Sequence, residues 1–292
     1  MQTNKIKQLD SLRNKYIVLK KGKESLLNII DEVELSEAVY NSNAIENSTL
    51  TLSDTERILL DLEVSKNYTL REVYEAKNLA RVSEYIRSKT DVTVSTEFIK
   101  LLHNMFIGGI DDSIAGRFRK GGEFVRVGPH IAPAPEHIVR MLEVLIHDYS
   151  IQHTQHVIDK IAHFHLQFEQ IHPFNDGNGR IGRVLINFQL QSYGYPNIII
   201  RDKDKQNYYK IFKTYRDTQS VEGMSRVIFL AVCEGLNKRI CYLDGNTVIT
   251  LAEFSQKNAT SLANLINKAR RQTIPAFREK GVWKIAGSYK LD

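Results

Sequence analysis

The 292-residue chain contains only two cysteines, Cys233 and Cys241, and no apolar run of about 18 residues. Two cysteines are too few for the disulfide framework of a small secreted protein. The missing apolar run excludes a membrane-spanning helix, and the first residues also lack the apolar stretch of a signal peptide. We therefore expect a cytoplasmic protein with no membrane contact.

A strong excess of charge of one sign is missing as well. The chain carries 40 Lys and Arg against 34 Asp and Glu, a formal charge of +6 at pH 7. So small an excess is typical of a solvated surface and does not by itself indicate a nucleic-acid partner. Hydrophobic residues make up 42% and charged residues 25%, the composition of a globular protein with a sizeable core.

Residues 1–90 have the apolar spacing of helices, and the same spacing continues through much of the chain. Two helix starts in this region carry the signature of a capping box, Ser53 with Glu56 and Thr69 with Glu72. Further along, the segment "GRVLINFQLQSY", residues 182–193, is apolar almost all round, as a helix at the centre of a domain would be. We therefore predict a mainly α fold.

One stretch breaks the helical period. In "GRFRKGGEFVRVG", residues 116–128, apolar and basic residues alternate on both sides of Gly121 and Gly122. Alternation with a period of two around a glycine pair is typical of a β-hairpin. The sequence therefore predicts a short hairpin whose turn lies at the two glycines.

The densest group of chemically active residues is the segment "IHPFNDGNGRIGR". Gly177, Asn178 and Gly179 tolerate positive φ and come directly before an apolar helix. Their N–H groups can converge on an anion at the positive end of that helix. Arg180 and Arg183 are three residues apart and so lie on one helical face, where two guanidinium groups can hold two phosphates.

Two more side chains complete a candidate site for phosphoryl or nucleotidyl transfer. Asp176 can hold magnesium, because that ion is usually bound by one or two carboxylates together with phosphates and waters. His172 can accept a proton near neutral pH. Each feature alone is common in turns and on solvated helices. Together, in one short segment, they indicate transfer chemistry.

A zinc hydrolase is the alternative interpretation. His165, Glu169 and His172 lie at positions i, i+4 and i+7 of the preceding helix, a spacing that can converge on a zinc ion. Zinc would leave the glycine nest and both arginines unexplained. We therefore favour a packing role for His165 and the nearby His163.

The segment resembles the motif of the Fic family at every defined position, from His172 to Arg183. That motif is His-Pro-Phe, any residue, Asp or Glu, Gly-Asn-Gly-Arg, two residues, Arg. The likeness extends over residues 35–240 and implies a Fic-type helical core with a β-hairpin flap. It also implies transfer of AMP from ATP to a Tyr, Thr or Ser hydroxyl of a target protein, with Mg²⁺ as cofactor.

The resemblance assigns a role to each motif residue. His172 is expected to be the catalytic base that deprotonates the target hydroxyl, and Asp176 is expected to hold Mg²⁺ on the nucleotide. The expected nucleotide-binding residues are Gly177, Asn178, Gly179, Arg180 and Arg183.

Two other segments are placed near the site by the same resemblance. The hairpin is expected to act as a flap that aligns the target by strand addition. Tyr208 and Tyr209 lie where an adenine base approaches in related proteins, with packing in the core as the alternative. The expected flap residues are Gly121, Gly122, Glu123, Phe124 and Val125.

The segment "SNAIEN" resembles the inhibitory pattern of the Fic family, Ser or Thr, three residues, Glu, then Gly or Asn, through Ser42, Glu46 and Asn47. It precedes the core, as in the subset with an N-terminal inhibitory helix. We expect Glu46 to pair with Arg183 and to occupy donors that the γ-phosphate needs, with a surface glutamate as the alternative. A further alternative is that Glu46 positions water to remove AMP from a modified target.

Residues 244–292 resemble the small winged helix-turn-helix of excisionase-type domains. The recognition helix is expected near residues 261–271, and the wing is a hairpin with its turn around Gly281. Basic residues outnumber acidic ones here, so the domain could bind DNA, with a protein-binding or dimerising module as the alternative. The cations that could neutralise DNA phosphates are Lys268, Arg270 and Arg271.

The sequence thus predicts three regions: an N-terminal helical region with the inhibitory helix (1–90), a Fic catalytic core (91–243) and a winged helix-turn-helix-like domain (244–292). The principal hypothesis is a protein adenylyltransferase inhibited in cis by Glu46. A DNA-binding regulator with a nucleotide-sensing core and an enzyme that removes AMP are the alternatives, and a homodimer is left open. The complete motif favours the first, since a sensor would not need His172.

Overall fold

The structure, a computed structural model, describes residues 3–62, 68–89, 92–128, 130–152 and 155–291. The helices are α1 (Thr3–Leu19), α2 (Glu24–Ile45), α3 (Leu52–Leu59), α4 (Leu70–Arg87), α5 (Thr96–Ile107), α6 (Ile138–Ile151), α7 (Val157–Ile171), α8 (Asn178–Ser192), α9 (Lys205–Thr218), α10 (Glu222–Leu243), α11 (Leu251–Lys257) and α12 (Leu262–Arg270). The strands are β1 (Arg126–Val127), β2 (His130–Ile131), β3 (Val248–Thr250), β4 (Phe277–Glu279) and β5 (Val282–Ala286). The predicted mainly α class is confirmed. Within these ranges every helix is too short or too polar to cross a membrane.

Helices α7 and α8 lie between two hydrophobic cores. One core packs α4, α5 and α6 against Phe164 of α7 and Leu185 of α8. The other packs α1, α9 and α10 against Ile161 of α7 and Leu190 of α8. Because α7 and α8 are buried on both sides, the loop that joins them, which carries the central motif, is held at both ends.

Capping chemistry fixes the starts of α3 and α4. Thr69 and Glu72 form the capping box that the sequence predicted. The box expected from Ser53 and Glu56 is wrong, since Thr51 is the N-cap and its partner is Asp54. Thr51 has the extended backbone that an N-cap needs, φ −83° and ψ 166°, whereas Ser53 already lies inside the helix.

The β-hairpin lies further along the chain than the sequence predicted. Its strands β1 and β2 pair Val127 with His130, so the turn of the hairpin begins at Gly128 and not at Gly121 or Gly122. The segment expected to form the first arm bonds elsewhere, because the N–H of Arg119 donates to the carbonyl of Pro173 in the motif loop (2.9 Å). The flap is thus tied to the motif on its N-terminal side.

Residues 248–291 form a small unit with its own core. Strands β3, β5 and β4 make an antiparallel sheet in that order, and α11 and α12 cover it through Phe254 and Leu265. The predicted hairpin turn after Glu279 is confirmed, since Glu279 pairs with Val282. Trp283 packs against this core, and the guanidinium of Arg278 lies 4.6 Å from the centre of its ring system.

Candidate active site

The loop between α7 and α8 is a rigid turn. His172 ends α7 in a left-handed conformation (φ 50°, ψ 62°), and its N–H donates to the carbonyl of Phe168. The side chain of Asn178 bonds both backbone groups of Phe174, accepting from its N–H (2.9 Å) and donating to its carbonyl (2.8 Å). Phe174 is fully buried and stacks on the ring of His103. Asn178 therefore closes the loop with its side chain and leaves only its backbone for an anion.

His172 is arranged to accept a proton. Its Nδ1 lies 3.3 Å from the carbonyl oxygen of Glu169, and because a carbonyl only accepts, Nδ1 carries the ring proton. The lone pair is then on Nε2. Burial lowers the pKa of His172 to about 4, so the ring is neutral at neutral pH. A neutral imidazole with Nε2 unprotonated is the form that a general base requires.

Asp176 is ionised and surrounded by donors. Its carboxylate accepts from the N–H of Gly177 (2.6 Å), from Arg180 (3.0 Å) and from Arg71. Burial would raise the pKa of this carboxyl, but Arg180, the N–H of Gly177 and Arg71 outweigh burial and hold the pKa below its ordinary value. Arg180 is itself fixed by Glu75 at 2.9 Å, so it holds Asp176 from a buried position.

The anion site that the sequence predicted would lie at the first turn of α8. Gly177 precedes the helix with φ 80°, a left-handed conformation that favours glycine. A Cβ at position 179 would collide with Oε1 of Glu46 and lie 3.1 Å from Nη1 of Arg183. The carboxylate of Glu46 thus lies directly against the backbone of Gly179, where free N–H groups of a helix start attract anions.

Arg183 joins this anion site to α2. Its Nη2 lies 2.9 Å from Oε1 of Glu46, and it also donates to the carbonyl of Ser42. Its Nε donates to the hydroxyl of Ser42 (3.0 Å). Burial would lower the pKa of Arg183, but Glu46 outweighs burial and raises it. The structure therefore brings Arg183 together with Ser42 and Glu46, which lie more than 130 residues earlier in the sequence.

The end of α2 is also held by α9. Lys205 donates to the carbonyl of Ala44 (3.0 Å) and to the side chain of Asn47 (2.8 Å), and Tyr209 donates to the carbonyl of Ile45 (2.8 Å). These donors satisfy carbonyls that a helix end leaves without partners. The last turn of α2 is therefore fixed on the face of α9 next to the site.

The two tyrosines that the resemblance placed near adenine lie in different environments. Tyr208 is 2% exposed, with its hydroxyl 2.6 Å from Nε2 of His165. Tyr209 is 44% exposed at the end of α2. Tyr208 thus packs in the core, and only Tyr209 offers ring surface to a ligand.

Sequence reasoning missed the residues that support the motif from other elements. Arg71 and Glu75 of α4 bind Asp176 and Arg180, and no local sequence pattern predicts these contacts. His103 bridges the carbonyl of Asp176 and the N–H of Gly116, with 3.0 Å to each. Burial lowers the pKa of His103 to about 4, so it acts as a neutral bridge between the motif and the flap.

Arg119 is the second missed link between flap and motif. It is 3% exposed, and its guanidinium donates to the carbonyls of His172 (2.9 Å) and Pro133 (2.9 Å).

The predicted flap residues lie in different environments. Glu123 pairs with Arg117, while Phe124 is 59% exposed. Of the predicted flap residues, Phe124 is therefore the exposed large apolar side chain. The turn residues Gly121 and Gly122 are exposed, and the carbonyl of Val125 accepts from the N–H of Ala132.

The donors suit magnesium with a nucleotide better than zinc. Nε2 of His165 is engaged by Tyr208, and in the described part of the chain no group of three or more His, Cys, Asp or Glu side chains is arranged to hold a metal. Asp176 supplies one ionised carboxylate, and one of its partners, Arg71, is half exposed. Magnesium typically takes one or two carboxylates with phosphates and waters, which fits this donor set.

The structure thus places the start of α8 next to the loop of a neutral histidine in a mainly helical protein. Residues 93–190 match the Fic/DOC family model. A protein adenylyltransferase Fic of Nematostella vectensis is 30% identical over 209 residues, which cover 70% of this chain and 48% of that protein. The Drosophila melanogaster protein of the same description is 29% identical over 219 residues, 73% of this chain and 44% of its own length. The chain thus spans about half the length of these curated relatives.

Solved structures of Fic proteins have the same fold as this chain. A Fic domain containing signaling protein from Bacteroides thetaiotaomicron superimposes with a TM-score of 0.72 at 25% identity, covering 82% of this chain and 97% of that one. A Fic family protein from Desulfovibrio desulfuricans matches in fold, with a TM-score of 0.67 at 18% identity over 100% of this chain and 98% of that one. The chain therefore contains a Fic/DOC domain, which the family model matches at residues 93–190.

Glu169 is a buried carboxyl beside this site. Its Oε2 lies 3.9 Å from Nδ1 of His172, and Oε1 has no hydrogen-bond partner among the described residues. Burial and the charge of Glu46 raise the pKa of Glu169 to about 8, although Arg183 opposes the shift. Glu169 is therefore protonated at neutral pH, and the site holds one carboxylate, that of Glu46, against Arg183.

This protonation predicts a pH-dependent stability. The ordinary pKa is 4.5, so between pH 4.5 and about 8 the folded protein keeps a proton that the unfolded chain has released. Raising the pH through this window therefore destabilises the wild type, by on the order of 1 kcal/mol per pH unit. The Glu169→Gln variant has no such proton and should gain stability relative to the wild type as the pH rises.

Chemical unfolding of both proteins at several pH values measures the difference. The matched control is Glu136→Gln, which changes an exposed carboxylate and should follow the wild type. Parallel stability curves for wild type and Glu169→Gln would show that Glu169 is ionised in the folded state.

Proposed function

We propose that the protein is an adenylyltransferase that moves AMP from ATP to a hydroxyl of a target protein. The observation that carries the proposal is the neutral His172, with Nε2 unprotonated, placed beside the anion-binding start of α8 in a Fic domain. The names of the curated relatives support AMP as the transferred group.

The reaction follows from the roles of these residues. Nε2 of His172 takes the proton of the acceptor hydroxyl while its oxygen bonds to the α-phosphorus. The bond from the α-phosphorus to the oxygen bridging it to the β-phosphate breaks, and pyrophosphate leaves. The start of α8, Arg180 and Arg183 stabilise the phosphate charge. Asp176 would hold Mg²⁺, which when bound neutralises part of the same charge.

We further propose that Glu46 inhibits this activity. Its carboxylate lies against Gly179 and pairs with Arg183, so it occupies both the helix start and the guanidinium that a γ-phosphate would use. Two anions cannot share these donors without strong repulsion. If the closed arrangement is favoured by about 2.7 kcal/mol, about 1% of molecules are competent at any moment.

Glu46→Ala should therefore raise AMP transfer by at least about tenfold, because it frees Arg183 for the γ-phosphate. Incorporation from α-labelled ATP, as self-modification or into a cell lysate, measures the rate. Glu32→Ala changes an exposed glutamate of the same helix and should leave the rate at the wild-type level. His172→Ala, combined with Glu46→Ala, should abolish labelling while nucleotide binding remains.

Unchanged labelling in Glu46→Ala would contradict inhibition by Glu46, and labelling that survives His172→Ala would contradict the assigned base. Release of AMP from a pre-modified target by the wild type, lost in Glu46→Ala, would instead identify removal of AMP as the activity. The same experiments therefore separate inhibition from removal.

DNA binding by the C-terminal unit is the second candidate. A groove of about 470 Å³ on α12 is lined by Asn264, Asn267, Lys268, Arg270 and Arg271, a donor-rich surface that suits phosphates. A mobility shift of the full chain with duplex DNA at about 50 mM salt tests this candidate. Binding that weakens with added salt and in Arg271→Ala supports a DNA-binding regulator, whereas no shift at low salt excludes it.

A further inference from the structure

The turn between β4 and β5, Lys280 and Gly281, hereafter the wing turn, contacts α2. Both residues have positive φ, 49° and 79°, as a two-residue hairpin loop of type I′ requires. Their N–H groups converge on one carboxylate: Lys280 donates to Oε2 of Glu37 and Gly281 donates to Oε1, both at 3.1 Å. The wing turn thus forms a small backbone anion site that Glu37 of α2 occupies.

Glu37 is 5% exposed and stands at one end of a row of four charged side chains. It pairs with Arg201, whose other nitrogen lies 2.9 Å from Glu234 of α10. Arg278 of β4 stands at the other end of the row, 2.7 Å from Glu234. The row contains two carboxylates and two guanidinium groups, so its net charge is zero.

A balanced row of alternating charges resists the removal of any member. Burial would raise the pKa of Glu234, but Arg201 and Arg278 outweigh burial and lower it. Withdrawal of one charge from this row leaves its partner buried and uncompensated, which is strongly unfavourable. The C-terminal unit, helix α10 and the loop that precedes α9 are therefore joined to α2 through Glu37.

Glu37 and Glu46 lie on one continuous helix, with Glu46 as its C-cap. Nine residues of helix span about 13.5 Å. A helix moves as a rod over such a distance, so fixing Glu37 restricts where Glu46 can go. A shift of α2 that takes Glu46 away from Arg183 therefore requires the wing turn to release Glu37.

We propose that the wing turn positions Glu46 in the site, with Glu37 as the positioning residue through which the C-terminal unit controls the proposed activity. The inference rests on inhibition by Glu46. It gives the C-terminal unit a function within its own chain: a ligand or partner that draws the wing turn away from α2 would raise the rate of AMP transfer.

Lys280→Glu tests the proposal from the side of the wing. The Lys280 side chain is exposed and pairs with Glu56 of α3 at 2.9 Å, so a carboxylate there would repel Glu56 and push the wing turn away without changing the core. Lys257→Glu makes the same charge change on the exposed surface of α11 and serves as the matched control. In the full chain, Lys280→Glu should raise AMP transfer about three- to tenfold, and Lys257→Glu should leave it unchanged.

The same variants in the Glu46→Ala background separate the two proposals. Lys280→Glu should add nothing there, because the inhibitory carboxylate is already missing. If Glu46→Ala is activated but Lys280→Glu is not, the positioning role is overturned while the proposed function stands. Equal activation by Lys280→Glu in both backgrounds would also overturn it. If Glu46→Ala itself is inactive, the proposed function fails.

Hydrogen exchange gives a readout that does not depend on activity. The amides of residues 42–47 should exchange at least threefold faster in Lys280→Glu than in Lys257→Glu, because loss of the Glu37 contacts frees the last turn of α2. Equal exchange at these amides in the two variants would overturn the positioning role even if the folded protein showed no measurable activity.

Discussion

The architecture of the site depends on the guanidinium of Arg183, which is buried and cannot be left without an anion. Burying such a charge is costly unless a partner compensates it, and Glu46 supplies that partner at 2.9 Å. The contact positions α2 over the start of α8. The Glu46 carboxylate therefore covers the donors at this helix start. In the proposed reaction a nucleotide phosphate would replace the Glu46 carboxylate, because it brings negative charge to the same donors.

Contacts at both ends of the segment from Glu37 to Glu46 hold α2 in this place. At the C-terminal end, Arg183, Lys205 and Tyr209 bind the last turn directly. At the other end, the wing turn and Arg201 bind Glu37. The proposed inhibition is therefore a property of several packed elements and not of one ion pair, which gives the chain more than one place at which α2 can be released.

The sequence predicts the parts of this site that are local. Gly177, Asn178 and Gly179 before an apolar helix indicate an anion site by spacing alone, and the resemblance to the Fic family adds the contact between Glu46 and Arg183. Contacts such as those of Arg71 with Asp176, or of the wing turn with Glu37, join residues more than 100 positions apart and leave no periodic signal. The hairpin was misplaced for the same reason, since its expected first arm bonds to the distant Pro173 through Arg119.

Competition between Glu46 and the γ-phosphate for Arg183 is the central claim, and a comparison of ATP with ADP tests it most directly. Calorimetric titration in a His172→Ala background, with and without Glu46→Ala, measures binding without turnover. Removal of the Glu46 carboxylate should strengthen ATP binding about tenfold more than ADP binding, since only ATP carries a γ-phosphate. An equal change for both nucleotides, or no change for either, would contradict the claim.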